Sequence, residues 1–313
     1  MTVLRIGRSP PVRKLTAGIA LADLPPIVIK KKPSLVIECP TDSNLVSDVL
    51  DATPRIVRRQ RRDGYTHVSD LITSGKCVRR ISISDKFGVP LRPQRLRIAD
   101  RIVFAIGDAI HDEVKSIASE GAPDRVWGLW KCSCGHLYHE DPCCLSEIDP
   151  DDICPLCGTA SNVYKEVPIY NEQYGIVGNP DLLMYIEECD AFHVTELKSI
   201  APEAWADLVR PQPAHVLQVL FYWWLMMEAG YRLTDLISIV YITKGYQFKG
   251  KPQKEFMIDP AKELHRLIPY LEDARLAKLS LEHNVFPARK VCSGQYDSVA
   301  RKCEVCEQCF TLP

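Results

Sequence analysis

Asp181 and the downstream run Glu196-Leu197-Lys198 are the residues of this chain whose types and spacing best suit chemistry. The stretch that joins them reads as two adjacent strands. Alternate residues of a strand point to one face, so Glu196 and Lys198 project together while Leu197 points into the core. With Asp181 at the end or entry of the preceding strand, its carboxylate, that of Glu196 and the Lys198 ammonium converge on one spot. Carboxylate oxygens suit a hard divalent cation such as Mg²⁺ or Mn²⁺. A lysine beside them can orient an attacking water and stabilise negative charge on a phosphate. Together these groups outline a phosphodiester-cleaving site. The plainer alternative is a charge pair on an edge strand facing water, so the motif has to be weighed with the elements around it.

Thirteen cysteines are the second strong feature. Cys132 and Cys134, each close to a glycine-bearing turn, and Cys154-Pro-Leu-Cys157-Gly form two knuckle-like turns separated by a loop. Paired thiolates at this spacing fit a tetrahedral zinc ribbon, with Cys143, Cys144, His136 and His139 as possible substitutes. Four protein ligands close such a site, which makes it structural or DNA-contacting rather than catalytic. Cys292, Cys303, Cys306 and Cys309 crowd the C-terminal end. They suit a second zinc ion or, with a thiolate from far upstream, an iron–sulfur cluster, since both accept four thiolates.

With 313 residues, 46% hydrophobic and 25% charged, the chain is long enough for one large or two modest globular domains. The most apolar stretch, Val216 to Ala229, contains Gln218 and Glu228 and reads as a buried helix rather than a membrane span. The N-terminus lacks an export layout, so the cysteines are not read as disulfides. A net charge of −1 does not advertise a nucleic-acid binder, yet arginines crowd 55–62 and 92–101. Acidic metal ligands can offset a basic groove in the total.

The elements that must position these groups follow from periodicity. A serine-capped helix start at Ser69-Asp70 leads to Cys77-Val78-Arg79-Arg80, and Ile98 to Glu120 is a strong helix. Residues 127 to 160 form the cysteine-rich block. Val163–Ile169 and Tyr174–Val177 read as strands, His215–Gly230 as a helix, Leu236–Thr243 as a buried strand and Pro260–Leu281 as a helix. Helices alternating with strands in this way predict an α/β core.

Taken in order, these segments resemble the RecB-like branch of the PD-(D/E)XK nucleases over about residues 65 to 310, most closely its iron–sulfur members: CRISPR-associated exonucleases, AddB-type nuclease domains and phage relatives. Val68 through Arg80 resembles the opening helix that donates the first cluster cysteine. Gly107-Asp108-Ala109-Ile110-His111 resembles the helix motif whose histidine binds metal. Asp181, Glu196 and Lys198 match the core acids and lysine, Gln218 and Tyr222 the Q-x-x-x-Y helix, and the terminal cysteines the closure. The zinc ribbon is an insertion, and the spacing before the last cysteines departs from the usual close pair.

The resemblance implies a restriction-endonuclease-like α/β core, a mixed sheet flanked by helices, with a zinc-ribbon insertion and a C-terminal metal-cluster cap. The expected division is an N-terminal arm (1–64), a helical part (65–126), the ribbon (127–160), the nuclease core (161–285) and the cysteine segment (286–313). His111, Asp181, Glu196 and the Leu197 carbonyl would hold Mg²⁺ or Mn²⁺, Lys198 would act on the water, and Gln218 and Tyr222 would support the site. Cys77, Cys292, Cys303 and Cys309, with Cys306 as alternate, would hold a 4Fe-4S cluster. Arg79, Arg80, Arg95 and Arg97 are expected to contact the DNA backbone. The implied activity is that of a metal-dependent DNA exonuclease, cytoplasmic in a bacterium or in the host of a phage. It would act on single strands or duplex ends, alongside a helicase, recombinase or other DNA-processing protein. The competing expectation is a non-catalytic DNA-binding or adaptor protein on the same scaffold.

Overall fold

A computed structural model describes residues 65–73, 77–89, 98–132, 134–136, 146–147, 154, 156–159, 162–245 and 251–312. The arm at 1–64, Arg95, Arg97, His139, Cys143 and Cys144 lie outside these residues. Along the chain come β1 (Thr66–His67), α1 (Val68–Thr73), α2 (Val78–Phe87) and α3 (Ile98–Gly121). Strands follow: β2 (Val126–Cys132), β3 (Ser146–Glu147), β4 (Asn162–Lys165), β5 (Ile169–Asn171), β6 (Ile176–Gly178), β7 (Leu182–Ile186) and β8 (Ala191–Ile200). Then come α4 (Pro202–Ala206), α5 (Pro213–Glu228), β9 (Ile237–Thr243), β10 (Gln253–Ile258), α6 (Pro260–Glu263), α7 (Ile268–His283) and α8 (Cys306–Thr311).

The main sheet is mixed, in the order β10-β9-β8-β7-β2-β3 with β4 also on β2. Among the described residues only the β8–β9 pair is parallel within it, because α4 and α5 form the crossover between these strands. A small sheet, β1-β6-β5, lies apart from it. Helix α5 contacts β8 and β9 on one side and α1, β5 and β6 on another. A helix enclosed this way must be apolar nearly all round. Val216, Leu217, Val219, Leu220, Phe221, Trp224, Leu225 and Met226 are accordingly all buried. Helix α3 contacts β8 and β4, where Val126, Trp130, Tyr164 and Leu182 form a second, smaller core with Ala118 against it.

Periodicity located the helices well and missed several details, among them that the strand expected over Val163–Ile169 is two, β4 and β5, in different sheets. Strand β2 is buried along most of its length although it falls in the cysteine-rich block. Its alternate residues serve both cores, Trp127 and Leu129 in one and Val126 and Trp130 in the other. The helix expected over Pro260–Leu281 is interrupted, with a 3₁₀ turn at Leu264–Leu267 before α7. Pro269 explains the break: it has no N–H to give and its ring collides with the preceding turn, so it is tolerated only where a new helix starts. Finally, α1 begins at Val68, one residue before the expected serine cap, and the Ser69 amide instead donates to His67 Nδ1 at 3.2 Å. Among the described residues no helix is long and apolar enough to cross a membrane.

Gly178 sets the spacing between the small sheet and α5. A Cβ built there would sit 2.8 Å from Leu225 Cδ1 and from the Tyr222 ring. Tyr222 cannot easily retreat, being 2% exposed with its hydroxyl hydrogen-bonded to Gln218. Gly178→Ala is therefore expected to cost roughly 1–3 kcal/mol through overpacking. Urea denaturation measures this, and an unchanged midpoint would mean that α5 and β6 are not held at this distance.

Candidate active site

The site begins where β7 stops and β8 continues. Their antiparallel register runs from Ile186↔Ala191 to Leu182↔Thr195 and ends there. Two residues further along β8, the Leu197 amide has no partner strand on that edge. Asp181, just before β7, supplies its side chain instead: Oδ2 accepts from Leu197 N at 2.8 Å. In a strand the N–H and C=O of one residue point to the same edge, so the Leu197 carbonyl opens toward Asp181 as well. Pro180 precedes Asp181 and brings no amide that would need a partner in this gap.

The other carboxylate oxygen of Asp181 faces α3. His111 Nδ1 is 3.8 Å and Lys115 Nζ 3.7 Å from Oδ1. One helical turn separates His111 from Lys115, so both fall on the same face of α3. Lys115 also forms an ion pair with Glu166, which directly follows β4. On β8, Glu196 is 1% exposed and ion-paired with Lys198, as expected from their sharing a face. Its second oxygen, Oε2, is buried with no hydrogen-bond partner. Asp181 thus stands among Glu196, Glu166, Lys115 and His111.

Burial sets the protonation of these groups. It pushes the Glu196 carboxyl well above the usual carboxylate range, and the neighbouring Asp181 adds to the shift. Glu166 is raised by the same two causes. Burial lowers the His111 pKa despite the opposing pull of Asp181. For Lys198 burial works against the charge, yet Glu196 and Asp181 outweigh it and the ammonium is favoured. The donor set therefore suits a hard cation: buried carboxylate oxygens, one of them unclaimed, and an imidazole held neutral. The contacts are pairwise. Among the described residues the donor atoms of His111, Asp181 and Glu196 do not all lie within 4.8 Å of one another.

Helix α5 brings up the remaining groups. Gln218 Nε2 donates to the Tyr222 hydroxyl oxygen at 2.8 Å, and burial keeps that phenol protonated. One turn earlier, His215 Nδ1 lies 2.8 Å from the Tyr241 hydroxyl, whose oxygen accepts from the Gln212 amide. Burial and the Lys198 charge favour the neutral form of this imidazole. Neither His215 nor Tyr241 was singled out in the sequence, and neither were Lys115 and Glu166. The signal for Lys115 was its position one turn after His111. Glu166 carried none, because only the fold brings its strand to Asp181.

The four cysteines expected to form a ribbon do close on one point. Sγ atoms of Cys132, Cys134, Cys154 and Cys157 all lie within 4.8 Å of one another, with Cys132–Cys157 at 3.3 Å and Cys134–Cys154 at 3.6 Å. A single tetrahedral ion with ~2.3 Å metal–sulfur bonds asks for about this spacing. Both knuckles are closed by backbone hydrogen bonds, Gly135 N to Cys132 O and Gly158 N to Cys154 O, each 2.8 Å. Gly135 and Gly158 have φ of +100° and +67°, the conformation that requires glycine in these turns. The Cys134 amide facing the sulfur holds the Cys132 thiol down to about 5, which favours the thiolate a metal needs. His136 contributes its carbonyl to the turn, and its ring is not in the donor set.

The C-terminal cysteines gather near Cys77 but more loosely. Cys77 feels the charge of Cys309, and Cys292 feels Cys77, Cys309 and Cys306. No three of these sulfurs lie within 4.8 Å of one another. That spacing does not suit a single ion in the present geometry.

Two of the expected DNA contacts are corrected here. Arg79 is 2% exposed and spends its guanidinium on the Pro287, Cys309 and Leu312 carbonyls at 2.8, 3.1 and 2.9 Å. Arg80 is paired with both oxygens of Glu304. A guanidinium this buried, held on carbonyls of the C-terminal segment, is out of reach of a phosphate backbone. These arginines fasten the chain's end to α2.

The buried His215 gives a pH signature. Its pKa, lowered by burial and then by Lys198, falls from 6.5 to about 4. The unfolded chain takes up the proton first, so this contribution to stability is full above 6.5 and is lost as pH falls toward 4. His215→Gln should flatten the decline of melting temperature across that window. Parallel curves for both proteins would show that His215 titrates normally.

No protein-family model matches the chain, and no curated protein matches it. Among solved structures it is similar to the crystal structure of an alkaline exonuclease (LHK-Exo) from Laribacter hongkongensis, with a TM-score of 0.37 and 14% identity over 72% of this chain and 91% of that one. A likeness of this depth carries no weight for the chemistry, which rests on the chain's own residues.

Proposed function

We propose that this protein is a Mg²⁺- or Mn²⁺-dependent deoxyribonuclease of the PD-(D/E)XK type that degrades DNA as an exonuclease. The observation that carries this reading is the Asp181–Glu196 pair beside the Lys198 ammonium, with one buried Glu196 oxygen that no hydrogen bond claims. A divalent cation held there would acidify an attacking water and neutralise the scissile phosphate. Asp181 and Glu196 are the residues that would hold it, with the neutral His111 imidazole and the Leu197 carbonyl as further donors. Lys198 remains a cation because Glu196 and Asp181 outweigh its burial, so it cannot remove a proton. It orients the water and stabilises charge building on the phosphate oxygens. Gln218 and Tyr222 brace the α5 face of the site through their mutual hydrogen bond.

In this reading the four ribbon cysteines hold zinc as a structural element. Cys77, Cys292, Cys303 and Cys309 hold an iron–sulfur cluster that ties the C-terminal segment to α2. DNA contacts fall to other basic residues, with Arg95 and Arg97 as candidates.

End-labelled linear DNA incubated with Mn²⁺ tests the activity. Glu196→Gln and Lys198→Ala are each expected to lose at least about 100-fold in rate while keeping a cooperative melt. Undiminished cleavage by both variants would remove the proposed site. A protein that binds DNA and cleaves neither ends nor circles with Mn²⁺ would favour the adaptor reading instead.

Metal analysis of anaerobically purified protein tests the cysteines. Zinc should be present and lost in Cys157→Ser, and the protein should be brown, losing its colour in Cys77→Ser. A colourless protein that contains zinc alone contradicts the cluster.

A further inference from the structure

Lys115 and Glu166 belong to no motif of the chain, yet the fold sets them against Asp181. Lys115 is 8% exposed, and its ammonium contacts Glu166 Oε1 and lies 3.7 Å from Asp181 Oδ1. A buried ammonium is costly unless carboxylates surround it, and here two do. Glu166 has the more exposed side chain, 32% against 12% for Asp181, so it stands on the solvent side of the group. A third carboxylate, Glu196, is 1% exposed and has the oxygen that no hydrogen bond claims.

From this geometry we infer that Glu166 is a further carboxylate of the divalent-cation site, and that Lys115 is its built-in counter-ion, which the cation must displace from Glu166 and Asp181. The inference rests on the nuclease reading for the identity of the cation and deepens that site. Charge favours exchange over addition. The Lys115 ammonium touches Glu166 and lies 3.7 Å from Asp181 Oδ1, so a cation sharing those oxygens would sit against a like charge unless Lys115 withdraws. The flexible lysine stem allows that release while α3 stays in place.

The two roles predict opposite signs, which a merely structural ion pair would not. Calorimetric titration of Mn²⁺ into the full chain without DNA reads the affinity directly. Glu166→Gln should weaken Mn²⁺ binding by about tenfold or more. Lys115→Gln should strengthen it by roughly tenfold, since a competing charge is gone. Lys115→Arg, which keeps the charge, should bind less tightly than Lys115→Gln, and Glu166→Asp should retain more affinity than Glu166→Gln. Thermal melts identify any variant that fails to fold, and the paired substitution then decides the same role. Unchanged affinity in Glu166→Gln overturns the ligand role, and weakened binding in a folded Lys115→Gln overturns the counter-ion role. If the unaltered protein cleaves DNA while these variants bind Mn²⁺ as it does, this inference alone fails. If the unaltered protein binds no Mn²⁺, the nuclease reading fails with it.

Discussion

The hydrogen bond from the Leu197 amide to Asp181 Oδ2 stands at the point where β7 ends and β8 runs on. A lone strand edge inside a protein would leave that amide unsatisfied, at a cost of about 1–3 kcal/mol. By answering it with a side chain, the fold fixes a carboxylate in the sheet's own plane and leaves the opposite oxygen for α3. The neighbouring strand residues Glu196 and Lys198 then lie beside it by alternation alone. Backbone satisfaction and site construction are the same event here, so a substitution at Asp181 would disturb both.

Two helices complete the enclosure from opposite sides. Helix α5 is apolar nearly all round because it is caught between the main sheet and the small one, and Gly178 lets β6 approach its Tyr222. Apart from Glu228 at its last position, its strongly polar side chains lie in the first half, where Gln218 and His215 each engage a phenol. Helix α3 brings His111 and Lys115 across the other face, and Gly107 permits a close approach to Ser199, beside Lys198. Far from this site, Arg79 secures the C-terminal segment through three carbonyls and so holds Cys309 near Cys77. That buried fork acts as a clamp between the two ends of the described chain.

Asp181, Glu196 and Lys198 were legible in the sequence because strand alternation is a local rule and the acids flank a single hairpin. The grouping of Cys132, Cys134, Cys154 and Cys157 was legible for a similar reason: a knuckle is defined within a few residues, and its glycines mark positive φ. Glu166 was not, since nothing near it in sequence distinguishes a strand-end acid that meets Asp181 from one that meets water. The role of Arg79 was misread because a basic pair after a cysteine looks solvated until the C-terminal carbonyls are placed over it. The broken helix at Pro269 was foreseeable from the proline itself, whose cost at a helix interior outweighs the apolar period around it.

The central claim is that Asp181 and Glu196 together hold a divalent cation. The most direct measurement is anomalous X-ray scattering from a crystal soaked in Mn²⁺. A manganese peak in contact with both carboxylates, with Lys198 beside it, is the predicted result. An ordered site with no peak between the two acids, or a peak bound only elsewhere on the chain, would contradict it.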